Sequence, residues 1–151
     1  MAYAENTSVP IDRSKAEIER VLSRYGATGF GYMIRGTRAM IMFEAHNRQI
    51  RFSLPMPDPS NDSYRKTPTG RIRRGESQAA AYEQEMRRRW RALALAIKAK
   101  LEAVDTGITE FEQEFLAHIV LPGNKTVGEM IQPSIEEAYH TGKVVALLPG
   151  W

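Results

Sequence analysis

The chain has 151 residues, 26% charged and 42% hydrophobic, with 11 glycines, 8 prolines and no cysteine. That is the arithmetic of one globular domain, 1–151, whose core needs no disulfide or metal staple. The missing cysteine excludes thiolate nucleophiles, CxxC redox pairs and zinc sites built on thiolates. No stretch approaches the roughly 18 apolar residues of a membrane span, and the N-terminal MAYAENTSVPIDRSK lacks an apolar signal core. A cytoplasmic address and no membrane partner are therefore expected.

The elements follow in chain order. Ser14 and Glu17 have capping-box spacing, and Ile18, Val21, Leu22 and Tyr25 recur at helical intervals before Gly26, which predicts an amphipathic helix over 14–25. A period-two region comes next: Phe30, Tyr32, Ile34, then Ala39, Ile41, Phe43, then Ile50, Phe52, Leu54. With turn residues at Gly36-Thr37 and His46-Asn47, it reads as a three-stranded antiparallel meander. Its second face would carry Met33, Arg35, Arg38, Met40, Met42, Gln49, Arg51 and Ser53. Met40 and Met42 could equally lie beneath another helix.

Residues 55–75 hold four prolines, two glycines and no periodicity, the pattern of a flexible or functional Pro/Arg-rich loop. A stripe of Tyr82, Met86, Trp90, Leu93, Ile97, Leu101 and Val104 follows, ending at Gly107. It predicts a helix over 76–104, roughly 43 Å long. Thr109/Glu112 and Thr126/Glu129 are two further capping boxes around the turn Pro122-Gly123-Asn124. They predict two shorter helices, the second kinked or restarted at Pro133. The apolar tail ending in Trp151 is expected to dock on the core or a neighbouring subunit. The expected class is thus α+β: N-terminal helix, three-stranded meander, long helix and two shorter C-terminal helices.

The net charge of +3 hides a gradient: +2 over 1–59, +7 over 60–100 and −6 over 101–151. The middle third would attract phosphates, unless the acidic last third folds back onto it. Arg65, Lys66, Arg71, Arg73 and Arg74 surround Tyr64 in the loop, while Arg87, Arg88, Arg89 and Arg91 surround Trp90 on the long helix, with Lys98 on the phase of Arg88 and Arg91. Guanidinium groups pair with phosphates and stack on bases. The candidate nucleic-acid-binding set is therefore Arg65, Lys66, Arg71, Arg73, Arg74, Arg87, Arg88, Arg91 and Lys98, with Arg35 and Arg51 from the sheet. The competing reading is a solvated helix face, and Trp90, as part of the apolar stripe, is expected in the core.

Catalytic patterns are sparse. His46, His118 and His140 form no metal-ligand spacing, and no GxxxxGK[ST], GxSxG or strand-linked GxGxxG occurs. Glu114 and His118, four apart, could hold a metal or a base, or form an ordinary ion pair. No catalytic residue, metal or cofactor is assigned.

The segments RRRWRALALAIKAKLEAVDTGITEFEQEFLAHIVLPGNKTVGEMIQPSIEEAY, YGATGFGYMIRG and EAHNRQIRFSLPMPD resemble a family of small uncharacterised phage and prophage proteins, from about residue 10 onward. The resemblance implies work in a bacterial host cytoplasm and transfers no activity. More loosely, the helix, meander, basic loop and long helix look like the core of Rad52-type single-strand annealing proteins. The expectation is a non-enzymatic, homo-oligomeric protein that binds single-stranded DNA in recombination or replication. The alternative is a phage inhibitor that seizes a host protein.

Overall fold

The computed structural model describes residues 8–144, apart from the side chains of residues 62 and 63. The apolar C-terminal tail, expected to dock, lies outside the described residues beyond position 144. Pro10, at φ −61°, stands at the N-cap of helix α1, Ile11–Arg24. The helix thus begins three residues before the predicted start, and Ser14 is no cap. Its Ile18 and Leu22 are buried, and Gly26 at φ 91° ends it, with Gly26 N donating to Ser23 O and Ala27 N to Leu22 O. This is a Schellman cap, which favours glycine for its left-handed φ.

The meander is β1 (Gly29–Arg35), β2 (Arg38–Ala45) and β3 (Arg48–Pro55), in that order and antiparallel throughout. Gly36 opens the first two-residue turn at φ 57°, and His46 and Asn47 both take positive φ in the second, as primed hairpin turns require. The register puts Phe30, Phe43 and Ile50 in one row and Tyr32, Ile41 and Phe52 in the next. That row-by-row alternation is the predicted inner face, and Ala39, Ile41, Phe43, Ile50 and Phe52 are buried.

Helix α3, Gly75–Asp105, crosses this face with Trp90, Leu93, Ala94, Ile97 and Leu101 buried. Trp90 is 1% exposed, a core residue. Before α3 the Pro-rich stretch has local structure that its composition did not suggest: a helical turn α2, Asp62–Arg65, and a bridge between Lys66 and Ile72. After α3 the chain makes a single turn α4, Phe111–Glu114, then a 3-10 turn, Leu116–His118. The first expected C-terminal helix is therefore two short pieces, and the Thr109 side chain does not cap it. A hairpin of two-residue strands follows, β4 (Val120–Leu121) and β5 (Lys125–Thr126), beside the β3 edge through an Ile50–Ile119 bridge.

The Thr126/Glu129 capping box is formed in full at the start of α5, Val127–Thr141. The helix continues through Pro133 without restarting. None of its residues is buried, and its predicted apolar face leaves Ile135 and Tyr139 exposed. Among the described residues no helix is long and apolar enough to cross a membrane.

At the α1–α3 contact, Ser14 Oγ and Trp90 Nε1 are buried without a hydrogen-bond partner among the described residues. A buried hydroxyl with no partner costs about 1–3 kcal/mol, and alanine is the better helix former. Ser14→Ala is expected to raise stability by about 1 kcal/mol, a gain of roughly 2–4 °C in Tm for a chain of this size. Thermal unfolding measures it; a lower Tm would reveal a hydroxyl partner.

Candidate nucleic-acid interface

The loop that carries the basic cluster is built from short-range bonds. Asp58 accepts from the backbone N–H and hydroxyl of Ser60, which holds its carboxyl below the ordinary 3.8, the backbone bond counting most. Tyr64 is buried edge-on against Tyr82 of α3, with ring centroids 5.7 Å apart. It anchors the loop to α3 and presents no face for stacking on a base. Thr67-Pro68-Thr69-Gly70 then forms a turn, with Gly70 N donating to Thr67 O at 2.9 Å. Proline at its second position and glycine at its fourth are favoured for such turns.

Two further bonds draw the ends together: Thr67 N to Arg71 O at 2.7 Å and Arg73 N to Arg65 O at 2.6 Å. The turn thus brings Arg65, Lys66, Arg71, Arg73 and Arg74 into one cluster. Arg73 Nε donates to Lys66 O at 3.2 Å. Arg65, Arg71 and Arg74 are exposed, and their guanidinium groups pair with no carboxylate among the described residues. Arg74 is also the N-cap of α3, whose first turn has no side-chain cap, so the positive end of a 31-residue helix dipole adds to the cluster.

The other candidates are placed elsewhere. On α3, Arg87 reaches Glu83 at 4.0 Å and Gln84 Oε1 at 2.7 Å, and Arg88 reaches Glu85 at 2.8 Å. Arg89 pairs with the same Glu85 and also with Pro55 O, and Arg91 pairs with Glu17 of α1. Arg87, Arg88 and Arg91 thus already serve the helix surface and the α1–α3 contact. Lys98 lies 24 residues beyond Arg74 on the chain, about 36 Å along the axis.

The two sheet arginines also separate. Arg51, its side chain 10% exposed, donates to Asn124 Oδ1 at 2.9 Å, to Asn124 O at 2.8 Å and to Glu129 at 3.4 Å. It clamps the β4–β5 turn and the start of α5 to the sheet. Arg35 closes the β1–β2 turn opposite Arg38, and Arg38 Nε donates to Ser53 Oγ.

Sequence reasoning passed over Thr67, whose hydroxyl accepts from Arg71 N at 3.2 Å, and Ile72, which stands 74% exposed among the arginines. The Thr-Pro-Thr-Gly string was the available signal for the turn.

Glu114 and His118 do not share a helical face. Glu114 pairs with Lys100 at 3.2 Å, while the His118 ring stacks on Phe52 at 4.0 Å between centroids. Half-burial, then the nearby Lys100 charge, lower the His118 pKa from 6.5, against a smaller opposing effect of its bond to the Arg51 backbone. The unfolded chain therefore takes up this proton first as pH falls. The contribution to stability is complete above pH 6.5 and is lost as pH drops through the folded-state value. His118→Phe is expected to flatten the stability–pH curve between about pH 7 and 5, as read by urea unfolding at each pH. Asp58, whose ordinary value is 3.8, acts in a lower window. An unchanged slope would remove His118 as its source.

Among the described residues no group of three or more His, Asp or Glu side chains could hold a metal. Comparison with protein-family models, curated proteins and solved structures gave no match.

Proposed function

We propose that the protein binds nucleic acid, single-stranded DNA first, by phosphate contacts from the turn at 65–74. The observation that carries this reading is the convergence of five basic side chains on a turn closed by its own hydrogen bonds at the uncapped start of α3. Guanidinium donors match phosphate oxygens bidentately, and a helix start favours anions. The absence of an exposed aromatic in the turn makes the contact one to the backbone, with sequence preference expected to be low. Taken with the resemblance to phage proteins, a role in recombination or replication of a phage genome follows, with no catalytic step.

The test is a binding titration against single-stranded DNA, duplex DNA and RNA over a range of salt. Four engaged arginines predict a log K against log salt slope of about −3 on a single strand. A flat response, or no binding at low salt, overturns the reading; preference for duplex or RNA reassigns the strand.

A second reading, capture of a host protein, is favoured by the exposed Ile135 and Tyr139 of α5. Under it, a stoichiometric partner would be lost with Ile135→Asp and Tyr139→Asp, and kept when the arginines of the turn are reversed.

A further inference from the structure

Among the described residues, the β1 edge of the sheet is open. Its other edge, β3, is bridged to Ile119 and flanked by the β4–β5 hairpin, whereas β1 pairs only with β2 among the described residues. In a two-residue hairpin the pair that closes the turn is hydrogen-bonded, and bonded pairs then alternate. Arg35, Met33, Gly31 and Gly29 therefore bond to β2, which leaves the N–H and C=O groups of Phe30, Tyr32 and Ile34 facing outward. The strand has no proline, lysine or inward charge of the kind that protects edges. Instead it exposes Tyr32 at 50%, Met33 at 42% and Ile34 at 56%.

We propose that β1 is a self-association edge, at which two copies pair antiparallel in a register centred on Tyr32. That register alone pairs the whole strand, Gly29 with Arg35 and Phe30 with Ile34, and it uses all the outward backbone groups. It also matches sizes on the outer face. Gly31 falls opposite Met33 of the second copy, and the space a Cβ would take at Gly31 has nothing within 4 Å.

The charges match as well. The Glu44 carboxylate lies over Gly29, its Oε2 3.6 Å from the position of a Cβ there, and Arg35 of the second copy would arrive opposite Gly29. Neither Glu44 nor Arg35 has an ion-pair partner among the described residues. Within one copy Arg35 sits directly across from Arg38, an unfavourable like-charge pair, and the incoming Glu44 relieves it. The product is a continuous six-stranded sheet with both helical layers on one face. It is an isologous dimer, with the same patch of each copy meeting itself across a two-fold axis.

The natural absence of cysteine makes the test clean. Sedimentation of the native chain should show a species of twice 17.1 kDa. Tyr32→Cys should form a disulfide dimer on oxidation, because opposed residues have Cα atoms about 5.5 Å apart. Ile34→Cys, on the same face but displaced by four residues, about 14 Å, from its counterpart, should not. Arg35→Glu should weaken the dimer about tenfold over its two symmetric sites, with circular dichroism unchanged, and Arg35→Glu combined with Glu44→Arg should restore it. A monomeric native chain, equal cross-linking at positions 32 and 34, or no recovery in the double variant overturns the proposal.

Discussion

Reversing Arg65, Arg71 and Arg74 to glutamate together is expected to lower affinity for single-stranded DNA on the order of 100-fold at low salt, and to flatten the salt slope from about −3 to about −0.7. These three side chains project from the turn, and none holds it together. The bonds that close it run through Thr67, Gly70 and the backbones of Arg65, Arg71 and Arg73, so the fold and its Tm should survive the change. The matched control is Arg87→Glu with Arg88→Glu. Those residues face Glu83, Gln84 and Glu85 on their own helix, and their reversal should change affinity several-fold less while lowering stability modestly through new like-charge neighbours. Electrophoretic mobility and fluorescence anisotropy across salt read both. Equal losses in the two variants would spread the interface over the whole +7 segment, and no loss in the first would exclude the turn.

The contrast between those variants marks where the sequence was informative. Period-two alternation from Phe30 to Leu54 carried the meander and its face assignment, because each residue type repeats where the pleat demands it. The stripe from Tyr82 to Val104 and the glycines at 26 and 107 did the same for α1 and α3, since both glycines close Schellman caps at positive φ. The start of α1 escaped because Pro10 nucleates the helix earlier than the Ser14/Glu17 pattern. Glu17 is instead drawn to Arg91, 74 residues away, a separation at which no local pattern helps. Strands of two residues, such as Val120–Leu121, are too short to show a period.

For the candidate site, the basic composition of 60–100 was plain from the sequence. Which arginines remain available was less so. Glu83 and Glu85 stand three to four residues before Arg87, Arg88 and Arg89, the spacing of intrahelical pairs. That local signal was legible in principle. The capture of Arg51 by Asn124 and Glu129 depends on where the β4–β5 hairpin lands, which no pattern near Arg51 encodes.

Phe115→Ala is expected to cost about 3–5 kcal/mol, a large fraction of the roughly 5–15 kcal/mol that holds a domain folded. Phe115 is 0% exposed and meets Phe43 at 5.8 Å and Phe52 at 6.3 Å between ring centroids, both edge-on, with Phe111 at 4.7 Å. Edge-to-face pairs add about 0.5–1.5 kcal/mol beyond burial, and the alanine would leave a cavity bounded by stiff rings and sheet backbone that cannot collapse into it. Phe115→Leu, which keeps most of the volume, should cost distinctly less. Because Lys100 lies over the same ring at 5.8 Å and His118 stacks on Phe52, loosening this cluster should also let the His118 pKa move back toward its ordinary value, visible by NMR titration. Single-stranded DNA binding by the folded fraction should be retained, since the turn at 65–74 is anchored through Tyr64 and Tyr82 at the other end of the long helix. Loss of both together would mean that the basic turn depends on the aromatic cluster.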